Sequence, residues 1–281
     1  MSIGITGANG HLGRLVVRAL RAKVPTADVV ALVRTPAKAQ DLGVTVREAD
    51  YGRPGTLAAA LKGIDNLLLI SGNEIGQRAA QHRNVIAAAK EAGVRRITYT
   101  SLLHADRSPL SLAPEHLETE RTLQTSGLPF TILRNSWYTE NYTNSIKGAL
   151  ATGALIGSAG EGRISAAARA DYADAAVAVL TTSGHEGKTL ELAGDSAFTL
   201  GELAAEISRQ AGRTIAYRNL PEAEYAATLA KAGLPPALAQ VIASWDTGIS
   251  RGALFDDGGA LGRLIGRRTT SLTDLVRQAL T

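Results

Sequence analysis

The sequence predicts an α/β fold, a doubly wound parallel sheet with a smaller carboxyl-terminal α/β lobe, and three observations predict it. Short β-rich runs alternate with amphipathic helical patterns through the first half of the chain, the order that produces β-α-β units. The run Leu67, Leu68, Leu69, Ile70 is continuously apolar, as a strand covered on both faces must be. Gly7, Gly10 and Gly13 stand between a first apolar run at 3–6 and a first helical pattern of Leu12, Leu15, Val16, Ala19 and Leu20.

That opening reads strand, glycine turn, helix. In Gly7, Ala8, Asn9, Gly10, His11, Leu12, Gly13, the first glycine makes the tight turn and the second lets main chain approach a pyrophosphate. The third lets the helix pack closely on the strand. The unpaired N–H groups and the dipole of the helix then face the anion. The segment predicts a Rossmann-type dinucleotide site.

Further strands are predicted at 29–33, 44–48, 66–70, 96–100 and 130–133. The clearest helices between them span 77–92, closed by Gly93, and 115–125, closed by Gly127. The ligand crevice of such a sheet lies beyond the carboxyl ends of its strands, where the strand order reverses. After about 135 the alternation loosens, so a nucleotide domain is expected over 1–135 and a smaller lobe over 136–281. The helical segment 170–180 returns to the sheet, which makes the boundaries interleaved, with about 155–182 belonging to the first domain. In the lobe, Thr199 and Glu202 form a capping box for a helix to about 210, and a brief strand is expected at 214–218. Pro221, Pro235 and Pro236 mark later helix starts.

With 281 residues, 45% hydrophobic and 20% charged, the composition is that of a globular protein with ample core. No run approaches a membrane span and no basic-then-apolar leader opens the chain, so the cytoplasm is the expected compartment. The absence of cysteine removes disulfides, thiolate metal sites and cysteine nucleophiles. No His-x-x-x-His pattern occurs, and no metal site is expected. The net charge of +4 suits an anionic ligand, but the cations are scattered and do not form the basic runs of a nucleic-acid binder. Whether two copies pair as a homodimer is left open by periodicity.

The second strand ends in Arg34, where an NAD site usually carries an acid that bonds the ribose 2′-hydroxyl. A guanidinium there makes charge-assisted bonds to a 2′-phosphate, so the expected cofactor is NADPH. Lys38, one turn on, would add a second charge; the alternative is that both are solvated cations. Asp50 and Tyr51 end the third strand, where an adenine edge lies.

The usual short-chain dehydrogenase acid is a tyrosine four residues before a lysine, whose ammonium lowers the phenol pKa. No Tyr-x-x-x-Lys occurs; Leu112, His116 and Glu120 stand where that helix should be. An acceptor that needs little protonation help, such as a quinone, suits this pattern, and so does a binding protein without turnover. Polar candidates at the carboxyl ends of the strands are Ser71 and Gly72, Thr100, Ser101, His104, and the stretch Asn135, Ser136, Trp137, Tyr138, Thr139, Glu140, Asn141, Tyr142. That stretch is conspicuous in a chain only 4% aromatic. Rings stack on planar ligands and an asparagine amide can bond a carbonyl oxygen as charge builds on it; the alternative is a hydrophobic seam between lobes. His104 and His116 read as satisfied structural histidines or as acids.

Together these residues resemble the NmrA-like family of atypical short-chain dehydrogenase/reductases, and its bacterial quinone-reducing members most. The resemblance is carried by 7–13, 30–34, 36–40, 47–52, 68–71, 81–84 and the Tyr-Thr-Ser-Leu-Leu-His-Ala-Asp stretch at 99–106. Segments 116–120, 133–135, 137–138, 140–142, 169–172 and 192–196 fit as well. The resemblance implies NADPH in a cleft, two-electron reduction of a small quinone by direct hydride transfer, Asn141 near nicotinamide and substrate, and Arg169 facing the cleft. Tyr138 and His104 are the further candidate donors. Triphenylmethane dye reductases share the glycine loop and the Leu-Arg-Asn segment, and another branch binds dinucleotide as a redox sensor without turning it over.

Overall fold

The protein is described by a computed structural model covering residues 1–281. In chain order it runs β1 (Ile3–Thr6), α1 (His11–Arg21), β2 (Val29–Val33), β3 (Thr45–Glu48), α2 (Pro54–Leu61), β4 (Asn66–Leu69), α3 (Arg78–Glu91), β5 (Arg96–Leu102), α4 (Ala113–Thr125) and β6 (Phe130–Asn135). It continues with α5 (Thr143–Thr152), β7 (Ala154–Gly157), α6 (Arg169–Thr181), β8 (Lys188–Leu192), α7 (Leu200–Ala211) and β9 (Ala216–Asn219). Helices α8 (Glu222–Lys231), α9 (Pro236–Ser250), α10 (Ala260–Ile265) and α11 (Leu272–Leu280) complete it.

Seven strands form one parallel sheet in the order β3-β2-β1-β4-β5-β6-β8. Strand β1 lies between β2 and β4, with Ile3 opposite Val29 on one side and Asn66 on the other, so the order reverses there and opens a crevice at the carboxyl ends. Every residue of β1, β2 and β4 is buried, which is why β2 and the 67–69 stretch of β4 read as apolar runs. Helix α1 packs on α6, whose Ala173, Ala175 and Ala176 are buried.

The chain divides into two compact units, residues 1–106, 112–135 and 169–192 in one and 107–111, 136–168 and 193–281 in the other. The return to the sheet therefore spans 169–192, where the sequence placed it near 155–182. Strand β7 pairs with β9 in a separate parallel ribbon of the second unit. A Cβ on Gly157 would stand 2.6 Å from Leu200 and 2.9 Å from Asp246, so β7 is wedged among that unit's own helices. Strand β8 was not legible in the sequence because an edge strand needs no apolar run: Lys188 and Thr189 are exposed, and only Leu192 is buried. Strands β5 and β6 run two residues beyond their predicted ends, because Ser101 and Leu102 pair with Arg134 and Asn135; polar residues there hide buried ladder. In the second unit the capping box forms as expected, with the Glu202 N–H donating to Thr199 Oγ1 at 3.1 Å and the Thr199 N–H donating to Glu202 Oε2 at 2.8 Å.

Candidate cofactor site

A cavity of about 310 Å³ opens at the carboxyl ends of β1 to β4. Gly7, Asn9, Gly10, His11, Leu12 and Gly13 form one wall, Arg34 and 49–51 a second, and Ile70, Ser71, Gly72, Asn73, Glu74 and Gln81 the third. The glycine wall is built as the spacing requires. Gly7 has φ +59°, which a side chain resists, and the Gly10 N–H donates to its carbonyl at 2.9 Å. A Cβ on Gly13 would stand 2.6 Å from Ala8 Cα and nearer still to the Gly7 oxygen, both main chain that cannot give way. No side chain caps α1 at Gly10. Bare main chain beside an uncapped helix start suits a pyrophosphate, so the residues present fit a dinucleotide.

The second wall is held from below. Tyr51 Oη lies 2.5 Å from Thr6 Oγ1 and 2.8 Å from the Ile70 carbonyl, and Asn84 Nδ2 donates to the Tyr51 carbonyl at 2.9 Å. Burial pushes the Tyr51 phenol well above its ordinary pKa, so it stays neutral and acts as a hydrogen-bonding strut. Burial also raises Asp50, but the Gly52 N–H and the Arg53 guanidinium outweigh it and hold that carboxylate below its usual range. At the rim, Arg34 is exposed and pairs with Glu74 at 2.8 Å, while Gln81 donates to the other Glu74 oxygen at 2.8 Å.

Of the residues expected around the cofactor, Gly7, Asn9, Gly10, His11, Leu12, Gly13, Arg34, Ser71 and Gly72 line this cavity. Ala8 lies beneath it, its N–H donating to the Leu32 carbonyl at 3.4 Å. Lys38 sits in a short 3-10 turn outside the lining, where its carbonyl accepts from Arg14 at 2.8 Å. Asn135, Ser136, Trp137, Tyr138, Thr139, Glu140 and Arg169 are not in its walls. Asn73, Glu74 and Gln81 were missed by the sequence reading; the polar stretch after the fourth strand could have signalled the first two, whereas Gln81 lies within α3.

The carboxyl ends of β5 and β6 carry an ionic cluster. Arg134 grips buried Glu120 through two hydrogen bonds of 2.9 and 2.7 Å and reaches Glu191 at 2.8 Å and Asp106 at 2.5 Å. Ser101 Oγ donates to Glu120 at 2.5 Å. Burial alone would lower the Arg134 pKa, but bonds to Glu120 and Glu191 raise it, so the guanidinium is permanently charged. Glu120, one turn beyond His116, is thus an acid locked into structure. His116 is buried with Nδ1 2.7 Å from Tyr99 Oη, and burial, helped by Arg78, lowers its pKa to about 3: it is a neutral structural histidine. His104 is the one non-glycine residue with positive φ, +52°. Its N–H donates to Glu191 at 2.9 Å, and a strained conformation so held belongs with functional positions more often than elsewhere. Asn135 Oδ1, at the end of β6, is buried without a hydrogen-bond partner.

In the second unit, Tyr138 bridges to Ala167 and the Asn141 N–H donates to the Tyr138 carbonyl at 3.0 Å, at the start of a 3-10 turn over Thr139–Tyr142. The turn leaves Asn141 exposed and Tyr138 half-buried. Trp137 meets Trp245 of α9 edge to face, ring centres 5.5 Å apart.

The NAD(P)H-binding family matches residues 7–183. Over 277 residues the chain is 56% identical to quinone oxidoreductase 2 of Escherichia coli, covering 98% of this chain and 97% of that one. The crystal structure of the E. coli NADPH-dependent quinone oxidoreductase with NADPH superposes at a TM-score of 0.97, with 55% identity over 99% of this chain and 100% of that one. The Citrobacter triphenylmethane reductase complexed with NADP(H) matches at a TM-score of 0.96 and 38% identity, over 99% and 100% of the two chains. An NmrA-like oxidoreductase of Aspergillus flavus is 30% identical over 98% of this chain and 94% of its own. With a glycine-walled cavity at the reversal of a parallel sheet and likeness along its whole length, this chain belongs to the NAD(P)H-binding, NmrA-like family of oxidoreductases.

Proposed function

We propose that this protein is an NADPH-dependent quinone oxidoreductase that reduces a small quinone to its quinol by two electrons. The observation that carries the reading is the glycine-walled cavity with the Arg34 guanidinium on its rim, in a chain sharing more than half its residues with a quinone oxidoreductase. NADPH supplies the hydride when bound; a proton from solvent completes the quinol.

The protein's part is placement and charge. Main-chain N–H groups at 11–13, in the first turn of α1, receive the pyrophosphate, and Arg34 selects the 2′-phosphate. Asn135 Oδ1, a buried acceptor without a partner, would take an amide N–H of the cofactor. Ser136, Trp137, Tyr138, Thr139, Glu140 and Arg169 complete the proposed cofactor contacts. Asn141 is proposed to donate its amide N–H to the quinol oxygen as negative charge develops there, with Tyr138 and His104 as further donors. No tyrosine-lysine acid is needed, because a quinone oxygen becomes a stabilised phenolate on accepting hydride. The proposed compartment is the cytoplasm.

The test is NADPH oxidation by the purified protein across benzoquinones, naphthoquinones and triphenylmethane dyes, with NADH as control. Fast turnover with quinones is expected. Preference for dyes would move the protein to the reductase class of its Citrobacter relative, and tight NADPH binding without turnover of any acceptor would make it a sensor.

A further inference from the structure

Helix α3 carries a group of buried polar residues that the cofactor reading leaves without a task. His82 is fully buried and Arg78 nearly so. The Gly72 N–H donates to His82 Nε2 at 2.9 Å, and Arg78 Nε donates to the Gly72 carbonyl at 2.7 Å. Both main-chain groups of one cavity-wall residue are therefore held by side chains of a single helix. The grip is close: a Cβ on Gly72 would stand 3.2 Å from Gln81 Oε1, at the flexible end of that side chain, and 3.7 Å from His82 Nε2.

The proton positions follow from the chain of bonds. Thr119 Oγ1 donates to the Glu115 carbonyl at 2.9 Å, so its hydroxyl proton is committed and it accepts from His82 Nδ1 at 3.0 Å. With the proton on Nδ1, Nε2 carries the lone pair that the Gly72 N–H needs. Burial, with the Arg78 charge beside it, lowers the His82 pKa to about 3, so this tautomer persists across the working range. Glu115 finishes the brace: one oxygen pairs with Arg78 at 3.1 Å and the other accepts the Gly76 N–H at 3.0 Å. The segment is thus fixed at 72 and at 76, with Asn73 and Glu74 presented to the cavity between.

We propose that His82 and Arg78 are positioning residues for NADPH, holding the Gly72 main chain so that the wall from Ser71 to Glu74 is preformed for the nucleotide. The proposal rests on the assignment of this cavity to NADPH. Neither side chain lines the cavity, and both act through Gly72.

The test is NADPH titration and steady-state kinetics of the full chain with His82→Phe, His82→Gln and Thr119→Val. Phenylalanine keeps the ring and loses the acceptor, so Kd and KM for NADPH should rise about tenfold, the size of one lost hydrogen bond. The kcat at saturating NADPH and the quinone KM should stay within about twofold. Glutamine, whose Oε1 can accept from Gly72, should restore most of the affinity. Thr119→Val, which frees the tautomer, should raise KM for NADPH in the same direction and decides the matter should His82→Phe not fold. Unchanged NADPH affinity in the variants, or a fall in kcat with KM unmoved, would overturn the proposal. Failure of the unaltered protein to bind NADPH would instead overturn the cofactor assignment.

Discussion

Arg34 Nη1 stands 2.8 Å from Glu74 Oε1 at the mouth of the cavity, which places the cation expected to select a 2′-phosphate in the grip of an acid. Both groups are largely exposed, with side-chain accessibilities of 67% and 45%, so the pair is weak and can open. A phosphate would compete with the carboxylate for the same guanidinium. Arg34→Ala should raise KM for NADPH roughly ten- to a hundredfold, the effect of one or two charge-assisted bonds, and leave KM for NADH nearly unchanged. Glu74→Gln should lower KM for NADPH. Parallel kinetics with both coenzymes check this, and equal losses for both in Arg34→Ala would make the arginine structural.

The glycine wall allows no side chain at position 13. Because the obstructing atoms are the Gly7 carbonyl and Ala8 Cα, Gly13→Ala forces α1 away from β1. We expect a loss of about 2 kcal/mol of stability together with loss of NADPH binding, read by denaturant unfolding and by titration. Native affinity in a stable Gly13→Ala protein would show that the wall yields.

Asn141 is exposed at its turn, so its replacement costs little in folding. Asn141→Ala is expected to lower kcat for quinones about a hundredfold, the usual effect of removing one donor to a developing oxyanion, with the NADPH Kd nearly intact. Unchanged turnover would remove Asn141 from the mechanism and leave Tyr138 and His104 as the donors to test.

Stability should depend on pH through three buried groups. His82 and His116 have folded pKa values near 3, below the ordinary 6.5, so the unfolded chain binds their protons first and stability falls as pH drops from about 6.5 toward 3. Asp246 works oppositely: burial raises it to about 6 against a Ser158 N–H bond that lowers it. Its charge is a burden above pH 6 that lifts on acidification toward 4. Each group changes stability by about 1.4 kcal/mol per pH unit across its window, so one histidine's worth remains between pH 6 and 4. His116→Gln should flatten the unfolding free energy over that interval. Asp246→Asn should steepen it and add about 3 kcal/mol at pH 8. A slope unaffected by His116→Gln would mean that this histidine is protonated in the folded state.

The amino-acid sequence by itself determined the sheet's central strands, the glycine turn and the cation that follows β2, because each depends on neighbours within a few residues. A strand covered on both faces is mostly apolar, and a tight turn at positive φ favours glycine. It also settled that the tyrosine-lysine acid is missing. Only the tertiary structure decided that Glu120 is bound to Arg134, that β8 joins the sheet, and that Asn73, Glu74 and Gln81 reach the cavity. Those pairings bring together residues 7 to 57 positions apart, and neither periodicity nor spacing encodes which distant polar groups will meet. The Gly72 brace has the same origin. His82, Arg78 and Thr119 read as ordinary helix residues until the packing of α3 against α4 leaves them buried and obliges each to find a partner.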